Sequence, residues 1–148
     1  MGFSVAGTDY ALDIQSVQEI IQPLPLSKLP DAHRSVLGLS DHRGDIIPVL
    51  DLRVRFGINA PPALRSKWIV ASSSAGRVGF VVDSVTEVFA ADGDARGAVP
   101  ALASSELDRG ISYACRRDGR LVFVLDVARV AAPVFGGEGS SAGTREAP

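Results

Sequence analysis

The side chains able to do chemistry are few in this chain, and their spacing argues against catalysis. Cys115 is the single cysteine. It sits in an apolar run at 111–115 with no histidine close in sequence, which suits a structural thiol rather than an activated one. His33 and His42 lack the HxH or HxxxH spacing of a zinc site, and with one cysteine the chain is poor in zinc ligands. Ser40-Asp41-His42 contains hydrolytic residue types, but neighbours on a strand point to opposite faces and cannot converge as a triad. No Walker loop and no GxSxG elbow between a strand and a helix is present. The expectation is no catalytic residue, no cofactor and no metal.

Two charges carry more information. Glu19 and Arg43 both lie in apolar surroundings, where a charge needs a partner or a route to solvent. They are either two ordinary surface charges or a bidentate carboxylate–guanidinium pair that holds a loop beside a binding groove. Arg43-Gly44-Asp45 reads as a turn, because Gly44 accepts the positive φ of a tight reversal.

That turn belongs to the stretch that organises the chain, residues 36–57. Leu37 and Leu39 alternate with small or polar residues as in a strand, and 46–50 is a second short apolar run. Pro48 cannot donate to a ladder and is expected at an edge or a bulge. Asp51 can cap a helix of one or two turns that Gly57 closes. Upstream, short strands are expected at 3–6 and 10–14, extended chain at 17–21, and an irregular connection at 22–30, where Pro23, Pro25 and Pro30 forbid helix. Downstream, 59–66 reads as a linker. Strands follow at 68–71, 78–82, 85–89, 111–115 and 121–125, and a helix capped by Asp126 runs to Pro133. Residues 136–148 read as a disordered tail.

Composition narrows the class. The chain has 148 residues, 46% hydrophobic and 22% charged, which is globular rather than disordered. A formal net charge of −2 gives no electrostatic case for nucleic acid or anionic membrane. One cysteine excludes an internal disulfide, and no apolar stretch reaches transmembrane length. The expected location is the cytoplasm, without membrane insertion.

An internal repeat gives the architecture. Residues 11–21 match 79–89 in type, 44–52 match 119–127, and 38–40 fall against 110–112 in the same order. Two units this small bury little surface alone and are expected to share a core. The reading is an all-β fold of two small five-stranded barrels with short helices. It forms one domain over 1–135, with a first subdomain at about 15–66 and a second at about 67–132 plus the N-terminal strand.

The same residues resemble a known family. Tyr10-Ala11-Leu12-Asp13-Ile14 with Val17-Gln18-Glu19-Ile20 is similar to the first signature of CheW-like chemotaxis coupling proteins. Gly38-Leu39 through Arg43-Gly44, then Ile47-Pro48-Val49-Leu50-Asp51-Leu52-Arg53, resembles their central one, and 78–83 with Leu125-Asp126 extends the likeness over about 3–130. The resemblance implies two SH3-like barrels around a shared core and a non-enzymatic adaptor in chemotaxis signal transduction. Such an adaptor bridges the cytoplasmic tip of a methyl-accepting chemoreceptor and the regulatory domain of a CheA-type histidine kinase. It further implies receptor contact near Glu19, Gly38, His42 and Arg43, and kinase contact at Ile14 and Val17, with a second kinase contact near Leu102. The chain departs from the family at Asp41-His42, where Asn-Leu is usual, and at 96–100, which lacks a proline-rich stretch. An alternative implied role is a paralogue that binds receptor or kinase in gliding, pilus or other control without building arrays.

Overall fold

The computed structural model describes residues 1–61, 64–86 and 109–135. Among these residues, ten strands form two five-stranded sheets of the same design. The first sheet has the order β3-β6-β7-β5-β4, with β3 at Val17–Ile21, β4 at Val36–His42, β5 at Asp45–Asp51, β6 at Lys67–Ser73 and β7 at Gly76–Val82. The second has the order β8-β1-β2-β10-β9, with β1 at Gly2–Val5, β2 at Thr8–Ala11, β8 at Ser84–Val85, β9 at Ile111–Arg117 and β10 at Arg120–Leu125. In each, one parallel pairing joins a three-stranded antiparallel unit to an antiparallel pair: Val49 lies opposite Gly79, and Val124 opposite Ala11. Those pairings are the ones the sequence repeat equates, so the repeat is structural.

The two repeats are interleaved. Strands β3, β4 and β5 of the first repeat are completed by the β6–β7 hairpin of the second, and β8, β9 and β10 are completed by the β1–β2 hairpin of the first. The hairpin at 67–82, assigned from sequence to the second subdomain, therefore pairs within the first sheet. The sequence shows where a hairpin lies, whereas its sheet is decided by a parallel pairing thirty residues distant.

Most strands are buried on both faces, and this accounts for their continuous apolar runs. Phe80, Leu50, Leu125 and Tyr10 face a core shared by the two sheets, which also holds Phe3, Ile69 and Val82. Their neighbours Val81, Val49, Val124 and Ala11 face the interior of their own barrel. The first barrel closes where 22–30 returns along β4: Ser27 and Leu39 exchange backbone hydrogen bonds of 2.8 Å in each direction. Gly38 makes this approach possible. Its φ is +151°, and an added Cβ would collide with the Ser27 carbonyl oxygen.

Two prolines sit differently from expectation. Pro48 is neither on an edge strand nor at a bulge, since β5 lies between β7 and β4 and the irregularity falls between Val36 and Gly38. The ladder tolerates it because its partner Leu39 spends its N–H and C=O on Ser27, and pairing with β7 begins only at Val49. Pro133 does not end the last helix. Helix α2 (Val127–Val130) gives way to a new turn, α3 (Ala132–Phe135), whose first turn needs no N–H from proline. The helix after β5, α1 (Leu52–Arg55), starts as expected: the Asp51 side chain accepts from Arg53 N at 3.0 Å. The expected elements at 87–108 and the tail at 136–148 lie outside the described residues.

Candidate functional site

The β4–β5 hairpin tip carries a polar cluster at one end of the first barrel. Its two-residue turn has φ of +56° at Arg43 and +87° at Gly44, the primed geometry that matches strand twist. Asp41 supports it by accepting from Gly44 N at 2.8 Å. The turn aims Arg43 back across the barrel end, where its Nη2 donates to Glu19 Oε2 on β3 at 2.7 Å. The pair exists, but it is not bidentate. The second carboxylate oxygen, Oε1, faces His42 Nε2 at 3.1 Å, so Glu19 is shared between two partners.

His42 comes from the last position of β4 and is buried, while Arg43 is 73% exposed at its side chain. Behind His42 stands Arg77 of β7, whose Nη2 lies 2.7 Å from His42 Nδ1. Arg77 also donates to Asp45 Oδ2 at 2.6 Å and to Gln18 Oε1 at 2.7 Å. No spacing in the sequence brings Arg77 here; it arrives through the β7 hairpin that the second repeat lends to this sheet. At the equivalent place in the second barrel the contact recurs with its charges exchanged, as Arg120 Nε to Asp9 Oδ2 at 2.8 Å.

A further ion pair ties the barrels together. Arg53 of α1, buried, donates to Asp83 Oδ1 at 2.6 Å, and Asp83 Oδ2 accepts from Ala6 N at 2.8 Å. This links the helix of one barrel to the β1–β2 turn of the other. It is structural, and removing one partner would leave a buried charge uncompensated.

The remaining sequence candidates fall elsewhere. Gly38 touches the closure segment rather than the Glu19 cluster. Ile14 lies in a 3-10 turn, 45% exposed, on the rim of a groove of about 500 Å³ that Leu12, Tyr113 and Val124 also line. Val17 is only partly exposed and packs against the shared core. Leu102 lies outside the described residues. Ser40 Oγ donates to the Pro25 carbonyl while His42 turns to Glu19, so Ser40, Asp41 and His42 have separate partners. Cys115 is buried inside the second barrel. Among the described residues no group of three or more His, Cys, Asp or Glu could hold a metal, and no helix is long and apolar enough to cross a membrane.

The CheW-like domain family matches residues 1–134, nearly the full chain. The chain belongs to the CheW-like family. Relatives named chemotaxis protein CheW include one from Helicobacter pylori, 28% identical over 88% of this chain and 79% of its own length. A probable CheW from Rhizobium etli is 30% identical over 74% of this chain and 70% of its own. Among solved structures, the scaffolding protein TtCheW from Thermoanaerobacter tengcongensis superposes with a TM-score of 0.77 at 28% identity, covering 84% of this chain and 86% of that one. The CheW-like chain thus has the two SH3-like barrels that the sequence implied, in a family of chemotaxis scaffold proteins without catalytic function. In this chain the barrel-end cluster joins Glu19 and Arg43 to His42 and, through it, to Arg77.

Proposed function

We propose that this chain is a non-enzymatic, cytoplasmic adaptor that couples the tip of a chemoreceptor to the regulatory domain of a CheA-type histidine kinase. The observation that carries this reading is the Glu19–Arg43 pair. One carboxylate holds an exposed guanidinium in place above a barrel end, in a backbone conformation that arginine adopts at a cost. An exposed, oriented guanidinium is suited to recognising carboxylates and carbonyls of a partner helix. Glu19, His42 and Arg43 would form the receptor contact, with Gly38 contributing indirectly by admitting the Ser27 segment alongside β4.

The kinase contact is proposed at Ile14, which offers exposed apolar surface beside the groove that Leu12 and Tyr113 line. Val17, partly exposed and packed on the shared core, is the proposed second residue of this kinase contact. Leu102 remains the proposed second kinase contact. The test is a double-mutant cycle on receptor binding. Glu19→Ala and Arg43→Ala should each weaken binding, and the double variant should lose less than their sum. Strictly additive losses would mean that the two side chains act separately. Receptor binding without assembly into arrays would favour the paralogue role.

A further inference from the structure

The Glu19–Arg43 pair ends a longer chain of contacts, and its middle member can change state. His42 is 6% exposed, and each ring nitrogen has one partner. An ionised carboxylate can only accept and a guanidinium can only donate. Glu19 Oε1 at 3.1 Å therefore fixes the proton on Nε2, and Arg77 Nη2 at 2.7 Å fixes the lone pair on Nδ1. The imidazole in this arrangement is a neutral ring in one tautomer. The contacts then run Asp45, Arg77, His42, Glu19, Arg43, crossing β5, β7, β4, β3 and the turn, with Gln18 holding Arg77 Nε.

We propose that Arg77 is a positioning residue for the partner-binding groove, acting on the Glu19–Arg43 pair through His42, and that proton uptake by His42 disconnects it. The inference rests on the reading of that pair as a partner contact. A proton on Nδ1 sets an N–H against a guanidinium N–H, so the bond to Arg77 is lost and two positive charges meet. The same proton strengthens the contact with Glu19 and draws the carboxylate from Arg43. Arg77 keeps Asp45 and Gln18, so the barrel end stays closed while the relay opens. The charged groups around the ring are Glu19 from β3, Arg77 from β7, Arg43 from the turn and Asp45 from β5. Imidazole is the side chain that changes charge across the physiological range.

The experiment is nitrogen NMR on the uniformly labelled full chain, followed between about pH 8 and about pH 5. With two histidines in the chain, His42→Gln assigns both rings. Near pH 8 the His42 ring should show the single Nε2–H tautomer. On acidification the Arg77 and Arg43 side-chain signals should move with the same midpoint as His42. His42→Gln presents a carbonyl to Arg77 and an amide N–H to Glu19, so both arginine signals should then stay fixed across the range. Arg77→Gln should shift the Arg43 signal near pH 8 without acid. Mixed tautomers near pH 8, or an Arg43 signal indifferent to both acid and Arg77→Gln, overturn the proposal. In a parallel titration with the purified tip of a chemoreceptor from the same organism, Arg77→Gln should weaken binding by about fivefold or more. Wild-type binding that Arg77→Gln leaves unchanged overturns the positioning role alone. A wild-type chain that binds no receptor tip overturns the proposed function, and the positioning role with it.

Discussion

Arg43 sits where asparagine or glycine would be at ease. A non-glycine residue with positive φ costs about 1 kcal/mol or more, and asparagine tolerates it better. Arg43→Asn should therefore leave thermal stability unchanged or slightly raised, yet weaken receptor binding. A parallel fall in melting temperature and affinity would show that the guanidinium is there for the fold. His33 gives a second expectation. Partial desolvation of the exposed ring, then Arg55 and Arg34, hold its pKa below the ordinary histidine value, so the folded chain favours the neutral ring. Stability from this group is present above the ordinary value and is lost as pH falls through the lowered one. His33→Asn should make the acid loss of stability shallower, as read from melting curves over descending pH. Glu19 and Arg43 were legible in the sequence because a charge amid apolar residues asks for a partner. The division of Glu19 between Arg43 and His42 was not, since it depends on Arg77, 35 positions from His42.

Turns and caps were the most readable elements. Three hairpins turn on a positive-φ pair, at Ala6-Gly7, Arg43-Gly44 and Asp118-Gly119, and local chemistry decides each. The prolines misled because what matters is which neighbour needs an N–H at that position, a property of the assembled sheet. The helices also lend each other their ends. Arg55 of α1 donates to the carbonyls of Val130 and Arg129, and Arg109 donates to that of Phe56, filling acceptors that short helices leave open. Gly38 is the sharpest test at this scale. Gly38→Ala should press on the Ser27 backbone, cost about 1–3 kcal/mol and lower the melting temperature by several degrees. An alanine variant as stable as the wild type would mean that the closing strand moves aside freely.

At the scale of the molecule, the interleaved hairpins make the two halves of the sequence interdependent. A chain cut between residues 61 and 64 yields pieces that each lack two strands of one sheet and hold two surplus strands of the other. Each piece alone should show little β signal by circular dichroism, and mixing them should restore it. Independent folding of either piece would show that the borrowed hairpin is dispensable. The repeat itself was visible from residue types, because both copies meet the same core. The exchange between copies was not, as two hairpins of equal pattern fit either sheet.

A single repeat, made as a separate polypeptide, could complete its sheet only by trading its first hairpin with another copy. The present chain has the form of such a mutual exchange written into one gene. Joining the copies turns a meeting of two molecules into a closure within one, with a local concentration far above that of free subunits in a cell. Folding no longer depends on how much of the protein is present. Duplication also frees the two barrel ends to diverge, and their charges are already reversed between Arg77–Asp45 and Arg120–Asp9. A symmetric ancestor would have offered the same face twice; its fused descendant can offer two different faces to two different neighbours.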